Sequence, residues 1–426
     1  MLGRFKKDSG YIQTTFTVIG NLASSAVSAI SLIIITRILG PEKFGVFTVG
    51  FSIVLMLTKI NELGLNTPLI KYASSSDSQK TRNAIYSLSA KYKLLFSLAV
   101  TLFGLLGAEW LAGLINFHEP IIIKLAFTVG LATVYYEHLL SVLQSLHRFT
   151  QAVVINMIQA ATKLVTALVM WLLDVKQVSL FFLAYIIAPL APVLMSGRLL
   201  PSWLKQDLKT VDLGVQKRLI SLAKHSSIAL ISAGIIENVD VLFLQKFLTT
   251  YETGLYGGVS RIAMVFAIVG YSLANVLNPR VAKYRTADHL LPYIKKSFGV
   301  VLLSILGFLA FIPLAKLSIF LTIGPEYYSG TGVLLILTAA GFLTIAAIPF
   351  MALFYSFDLS WYFSLSGLLQ LAIIIVGNLI FVPVYGLEGA AWTKLASRLF
   401  FFLFTIILGL VVYQRDYVKK NQATTS

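Results

Sequence analysis

The chain has 426 residues, of which 57% are hydrophobic and only 12% are charged, and its formal net charge is +16. Soluble domains carry roughly 25% charged residues, so a water-exposed fold would lack polar surface. The chain has no cysteine, which excludes disulfides, thiolate metal sites and a catalytic thiol. These values predict an all-α integral membrane protein, because a helix satisfies its own backbone hydrogen bonds in lipid.

The first apolar segment follows a basic start with Arg4, Lys6 and Lys7. It continues to Ile35 without a small-residue cleavage site, so we interpret it as a retained span rather than a signal peptide. About twelve segments in all can each cross a hydrocarbon core of about 30 Å. The predicted spans are 13–36, 46–69, 89–108, 121–145, 152–173, 178–196, 222–246, 254–279, 297–323, 331–354, 359–382 and 389–413.

Lysine and arginine residues lie mainly in the loops on the same side as both termini. Basic residues concentrate in the short loops that face the cytoplasm. This bias predicts a multi-pass protein of the cytoplasmic (inner) membrane with both termini in the cytoplasm. It also explains the positive net charge without nucleic acid as a partner.

The two halves of the chain share a weak repeat. The stretch ILGPEKFGVFTVG, which begins at Ile38, resembles FLTTYETGLYGGV, which begins at Phe247: a span ends, an acidic turn follows, and a Gly–aromatic pair opens the next span. Chance similarity between two apolar segments is the alternative. The predicted organisation is an N-terminal six-helix lobe at 1–196, a basic cytoplasmic linker at 197–221 and a C-terminal six-helix lobe at 222–426.

Besides the basic residues near span ends, which count with the loops, five basic residues lie at or within the predicted spans. A charge at mid-membrane costs roughly 2.5–3.5 kcal/mol on insertion scales, so these side chains should face water or a partner. Lys394 and Arg398 lie four residues apart on one helix face and would repel each other unless an anion or carboxylate lies opposite. The other three are Lys59, Lys163 and Arg261.

Acidic and polar side chains accompany these cations at helical spacing. Glu237 and Asp240 form an acidic face on the seventh span, and Glu62 lies three residues after Lys59. Either an inter-helix ion network or an aqueous cavity for an anionic ligand explains them. Uncharged polar residues also form stripes, which either join helices or line that cavity. Those taken as candidates are Asn21, Gln159, Tyr271 and Asn275.

Motifs for catalysis or ATP binding are missing from the sequence. There is no HExxH stretch, no Walker-type loop and no pair of histidines four residues apart. No metal site or other cofactor is therefore indicated, and the chain is predicted to be a transporter rather than an enzyme.

The stretch ITRILGPEKFGVFTVGFSIVLML, from Ile35 to Leu57, resembles the signature of the polysaccharide-biosynthesis, or Wzx-type, oligosaccharide flippases of the multidrug/oligosaccharidyl-lipid/polysaccharide exporter superfamily. The shared features are a basic residue, a Leu–Gly–Pro turn, an acidic residue and a Gly–aromatic pair. Here they are Arg37, Leu39–Gly40–Pro41, Glu42, and Gly45 with Phe47.

The resemblance implies two six-helix lobes around a central polar cavity that moves a polyprenyl-diphosphate-linked oligosaccharide by alternating access, coupled to an ion gradient. The implied partners are that substrate, membrane lipids, a coupling ion (H+ or Na+) and a polysaccharide polymerase. From helix position and charge we assign Arg261, Lys163, Lys59, Lys394 and Arg398 to the phosphates. Asn21, Gln159, Tyr271 and Asn275 are assigned to the rest of the substrate, and Glu62, Glu237 and Asp240 to ion coupling.

Two other functions stay open at this stage. A drug or metabolite exporter of the same superfamily would share the fold, although a cationic drug favours an acidic cavity and the embedded charges here are mixed. An intramembrane transferase acting on polyprenyl-linked sugars would also carry many spans, but such enzymes usually need a sizeable outward loop, whereas the longest predicted loop here is cytoplasmic.

Overall fold

The computed structural model describes residues 2–195, 213–281, 287–356 and 361–414. The elements in this part of the chain are α-helices and two short 3-10 helices, Ile312–Leu314 and Pro325–Gly330. The α-helices are α1 Leu2–Glu62, α2 Asn66–Ser74, α3 Gln79–Leu114, α4 Pro120–Ser145, α5 Phe149–Leu172, α6 Val178–Met195, α7 Leu213–Phe247, α8 Thr250–Val281, α9 Ala287–Phe311, α10 Ala315–Thr322, α11 Thr331–Ser356 and α12 Trp361–Tyr413.

The first helix is broken at Gly40, where the backbone has φ 65° and ψ 173°. A side chain at such a positive φ is disfavoured, and Pro41 next to it cannot donate a helical hydrogen bond. The Leu–Gly–Pro sequence therefore ends one helix and begins another.

The break reverses the direction of α1. Asn21 accepts a hydrogen bond from Asn156 on α5, and Asn156 in turn bonds Tyr136 on α4. At the other end of α1, Asn61 lies against Gly130, six residues before Tyr136 on α4. A straight helix would separate Asn21 from Asn61 by about 60 Å at 1.5 Å per residue. Asn61 contacts this stretch of α4 directly and Asn21 is linked to it through Asn156, so the two parts of α1 form a helical hairpin.

The last helix is a hairpin of the same kind, broken at Gly386 with φ 57° and ψ −133°. A Cβ atom built on Gly389 would lie 2.2 Å from the carbonyl oxygen of Phe381. One built on Gly377 would lie 2.5 Å from Thr393, although a straight helix would separate these residues by about 24 Å. The chain therefore folds back at Gly386.

Ten helical stretches of the described residues are long and apolar enough to cross a membrane. Two of them, Phe16–Glu62 and Ser364–Val411, have 47 and 48 residues and contain the breaks at Gly40 and Gly386. Each is long enough for two crossings of about 20 residues. Counting each hairpin as two spans gives twelve crossing segments, so the prediction of an all-α, multi-pass membrane protein is confirmed.

The chain divides into two compact units, Met1–Asn238 and Val239–Ser426, and the division falls inside α7. In the first unit, Leu219 near the start of α7 is fully buried with Leu69, Ile85 and Tyr86, which ties this part of α7 to α2 and α3. The predicted linker lies largely in 196–212, outside the described residues. The lobe boundaries given above therefore stay a prediction.

Candidate functional site

A charged cluster lies among four helices of the first unit. Its centre is Glu137 on α4, which has four charged side chains within electrostatic range. These are Lys59 and Glu62 from α1, Lys93 from α3 and Lys163 from α5. The helices that carry these residues are long and apolar enough to cross a membrane. Such charges within membrane helices mark functional sites.

A small cavity opens beside Glu137. Its interior has room for about one water molecule, about 10 Å³, and the wider space around it, about 190 Å³, is partly open to the surroundings. Its walls come from three helices, so its shape depends on their packing rather than on one segment. The lining residues are Thr58, Asn61, Glu62, Lys93, Thr133, Val134 and Glu137.

Lys93 is a basic member of this cluster that was not predicted from the sequence as a site residue. Its side chain is only 1% exposed, and its ammonium group donates a hydrogen bond to Asn66 at the start of α2. Lys93 lies two residues after Lys91 near the start of the predicted span 89–108, where a basic residue is ordinarily interpreted as part of a cytoplasmic loop. The missed signal is the spacing of Ser89, Lys93 and Ser97, because residues four apart share one helix face and all three are buried.

Asn61 is a second residue that was not singled out. It is 1% exposed, and neither its amide nitrogen nor its amide oxygen has a hydrogen-bond partner in the described part of the chain. Buried polar groups are almost always paired with protein or ordered water. Since Asn61 lines the cavity, its unpaired amide indicates that water or a polar ligand occupies the space.

Other polar residues near the cluster join helices in pairs. Asn156 on α5 donates to Asn21 at 3.0 Å and accepts from Tyr136, which connects α1, α4 and α5. Lys163 lies with its ammonium 5.3 Å from the centre of the Tyr185 ring on α6, a cation–π contact. Gln159 lies four residues before Lys163 on α5 and is partly buried.

The second unit contains a separate buried ion pair. Lys394 on α12 donates to Asp240 on α7 at 3.0 Å, and the two side chains are 13% and 2% exposed. The Tyr256 hydroxyl on α8 donates to the same carboxylate oxygen, and the Val241 backbone N–H donates to the other. Both oxygens of Asp240 therefore have protein donors. For this pair, the inter-helix ion network is the explanation that the structure supports.

The remaining predicted residues of the second unit lie on α8 and α12. Arg398 donates to Gln370 in the preceding half of the α12 hairpin at 3.2 Å, and Arg261 is a partly buried residue of α8. Tyr271 and Asn275 also lie on α8, but their side chains are outside the described part of the structure.

The structure thus brings three of the predicted residues, Lys59, Glu62 and Lys163, into one cluster. It brings Asp240 and Lys394 into another. Glu237 lies one helical turn before Asp240 on α7 and belongs to the first unit by its contacts. What each residue binds stays a prediction.

Comparison with known sequences then identifies the family. The sequence pattern of the family described as "Polysaccharide biosynthesis protein" matches residues 13–285, which is more than half of the chain. The chain belongs to the polysaccharide biosynthesis protein family. None of the curated protein sequences matches it at a significant level.

Solved structures show that this family member has the fold of the MOP superfamily transporters. An inward-facing multidrug-resistance MATE family transporter matches with a TM-score of 0.73 and 14% identity, covering 94% of this chain and 99% of that one. The lipid II flippase MurJ, in an inward closed conformation, matches with a TM-score of 0.69 and 13% identity, covering 95% and 93%. A MOP superfamily transporter from Pyrococcus furiosus matches with a TM-score of 0.61 and 12% identity, covering 94% and 95%.

Proposed function

We propose that this protein is a flippase that moves polyprenyl-diphosphate-linked oligosaccharide repeat units across the cytoplasmic membrane by alternating access. It would serve the biosynthesis of cell-surface polysaccharide such as O-antigen or exopolysaccharide, coupled to a gradient of H+ or Na+. Membership of the polysaccharide biosynthesis protein family supports this role. The similar fold of a lipid II flippase is consistent with it.

The observation that carries the proposal is the charged cluster of the first unit. The cluster contains three lysines, Lys59, Lys93 and Lys163, and two carboxylates, Glu62 and Glu137, so these five groups together have a net charge of plus one. Lysines in a low-dielectric site form strong charge-assisted hydrogen bonds with phosphate oxygens. A diphosphate is therefore the part of the substrate that this cluster suits.

Uncharged polar groups next to the cluster suit the sugar. The amides of Asn21 and Asn156 and the hydroxyl of Tyr136 form a chain on the same helices. Amide groups carry both donors and acceptors, as a sugar hydroxyl requires. Gln159 on α5 extends this polar face towards Lys163.

An exporter of drugs or metabolites is the second candidate, because the MATE transporter above also has this fold. The net positive charge of the cluster disfavours cationic drugs as substrates. Resistance to cationic dyes on overexpression, with unchanged lipid-linked sugars, would favour the exporter.

The experiment that tests the proposal uses a host strain that lacks the gene and is complemented with variants. Lys163→Gln removes one charge of the cluster, and we expect complete lipid-linked repeat units to accumulate on the cytoplasmic face. Lys176→Gln is the matched control, since Lys176 is half exposed and pairs only with Asp174 beside it. It should export normally. Normal export by Lys163→Gln and Lys93→Gln together would contradict the assignment of the cluster.

The same strain distinguishes the other functions. Incomplete repeat units in the deletion strain would point to a transferase. Complete units displayed normally outside the cell would leave the exporter as the surviving function.

The orientation can be tested directly because the chain has no cysteine. A single cysteine placed at either terminus should react with a membrane-impermeant thiol reagent only in opened cells. Labelling in intact cells would reverse the predicted orientation.

A further inference from the structure

Oxygen-bearing side chains from two facing helices line the small cavity of the first unit. Those on α1 lie three and four residues apart and those on α4 lie four residues apart, so each set shares one helix face. They are Thr58, Asn61 and Glu62 on α1, and Thr133 and Glu137 on α4. A Cβ atom built on Gly130 of α4 would lie 3.4 Å from the Asn61 amide nitrogen, so the two helices approach each other closely at this point.

The two threonine hydroxyls offer acceptors to the cavity. Thr58 donates its hydroxyl proton to the carbonyl of Val54 at 2.9 Å, and Thr133 donates its own to the carbonyl of Gly130 at 2.8 Å. A hydroxyl whose proton is engaged in this way keeps its oxygen lone pairs and has no donor left. Both side chains therefore suit a cation or a hydrogen-bond donor, and neither suits an anion.

Asn61 is an independent sign that a ligand occupies the cavity. Its side chain lines the cavity and is 1% exposed, and neither polar atom of its amide has a partner in the described part of the chain. Buried amides are almost always paired with protein, water or a ligand. The amide oxygen is thus a further neutral acceptor beside the two hydroxyls.

The charge of the lining favours a monovalent cation. Two carboxylates line the cavity, and among the described residues Lys93 is the one lysine that does. With both carboxylates ionised, the lining carries one net negative charge, which a single positive charge neutralises. A divalent metal ion is disfavoured, because the described residues hold no group of three or more acidic or histidine side chains that could bind it.

The size of the cavity and its ligand atoms favour Na+ over a proton. The interior has room for about one water molecule, and a Na+ ion without its hydration shell takes up no more space. Hard cations bind carboxylate, carbonyl and hydroxyl oxygens together. A proton would need only one carboxylate oxygen, and it would leave the acceptors of Asn61 and both threonines without a ligand.

We propose that this cavity is a Na+ site, in which the carboxylates of Glu62 and Glu137 and the neutral oxygens of Asn61, Thr58 and Thr133 bind the ion. The inference rests on the proposed function in that it names Na+ as the coupling ion of the flippase. Binding of the ion can be measured without any transport.

The test is equilibrium dialysis of the purified full-length protein against radioactive Na+, with choline chloride holding the ionic strength constant. We expect the unaltered protein to bind Na+ that excess unlabelled Na+ displaces. Thr133→Val keeps the size of the side chain and removes one oxygen, so the affinity should fall about tenfold. Glu62→Gln should lower it at least about tenfold, because it removes a unit charge close to the ion.

Thr128→Val is the matched control for the threonine. Thr128 also lies on α4, is partly buried like Thr133 and donates its hydroxyl proton to the carbonyl of Lys124 at 2.9 Å, but it is not a lining residue. Glu109→Gln is the control for the change of charge, since the Glu109 side chain is 81% exposed. Both controls should bind Na+ like the unaltered protein.

Three outcomes would overturn the inference. Absence of Na+ binding by the unaltered protein would mean that water alone fills the cavity. Equal affinities in Thr133→Val and Glu62→Gln and in the unaltered protein would place the bound ion elsewhere. If Glu62→Gln does not fold, Thr133→Val decides, and an affinity equal to that of Thr128→Val overturns the inference.

The inference and the proposed function can fail separately. Repeat units trapped on the cytoplasmic face of the deletion strain would support the flippase even if the protein binds no Na+. Na+ binding that depends on Thr133 and Glu62, together with normal display of repeat units in the deletion strain, would support the site and overturn the flippase.

Discussion

Replacing Lys394 by methionine should destabilise the second unit strongly. The substitution keeps most of the length of the side chain but leaves the Asp240 carboxylate, which is 2% exposed, without its cation. Removing one partner of a buried ion pair costs about 3–5 kcal/mol, because the remaining charge is buried and uncompensated. The Coulomb attraction at 3.0 Å is consistent with this size, at roughly 5 kcal/mol for an effective dielectric constant near 20.

Substituting the acidic partner of the pair should cost less stability. Asp240→Asn keeps an oxygen that accepts from Tyr256, and the Lys394 side chain is 13% exposed, so its ammonium can reach a more polar position. We expect a loss of about 1–3 kcal/mol. The double variant Asp240→Asn with Lys394→Met should recover most of the loss of Lys394→Met, because no charge is left buried.

Thermal unfolding of the purified protein in detergent measures these changes. At about 2–4 °C for each kcal/mol in a unit of this size, Lys394→Met should lower the unfolding midpoint by about 6–20 °C. Lys295→Met on the exposed face of α9 is the matched control and should change it little. A shift of less than about 2 °C for Lys394→Met would refute the reasoning. So would a double variant whose loss of stability equals the sum of the losses of the two single variants.

Three further predictions concern helix packing and are checked by the same unfolding measurement. Gly104→Ala should lower the free energy of unfolding by about 1–3 kcal/mol, because its Cβ would lie 2.1 Å from the Phe127 ring. The control Gly107→Ala on the same helix meets nothing within 4 Å and should be neutral or stabilising. Gly386→Ala should cost about 1–2 kcal/mol because φ is 57°, and no change there would contradict the hairpin turn. Tyr86→Phe should cost about 1 kcal/mol by removing a buried 2.8 Å hydrogen bond to α4; an unchanged midpoint would mean that this bond contributes nothing.

The sequence predicted the spans well because length and apolar composition are local properties. Both helical hairpins were also indicated locally. The Leu39–Gly40–Pro41 turn separates the first two predicted spans, and the last two are separated at residues 383–388, where the structure has Gly386. The same Leu–Gly–Pro turn carries the resemblance to the family, so fold and family were accessible from one short stretch.

The charged cluster was only partly accessible from the sequence. Lys59, Glu62 and Lys163 were found because a charge within an apolar span is conspicuous. Lys93 was missed because it lies near the basic end of its helix, where a loop cation is the ordinary interpretation. Its burial at 1% exposure follows from the packing of α3 against its neighbours, which no local pattern contains.

Pairing across helices was decided by tertiary structure alone. The sequence predicted that an anion or a carboxylate lies opposite Lys394, with Glu237 and Asp240 as an acidic face, but left open whether an ion network or an aqueous cavity explained these charges. The 3.0 Å contact with Asp240 selects the ion pair. In the same way, the place of Glu137 among three lysines emerged only from the packed helices.

By itself, the sequence determined that this protein crosses a membrane many times as helices, where the chain turns, and to which family it belongs. Those properties depend on hydrophobic length and on residues close together in the chain. Only the tertiary structure decided which charges meet. Helical periodicity shows which side chains share a face of one helix, but it does not show which residues of another helix that face contacts. The rotation and depth of one helix against another, which set distances between charges, depend on the packing of all of them.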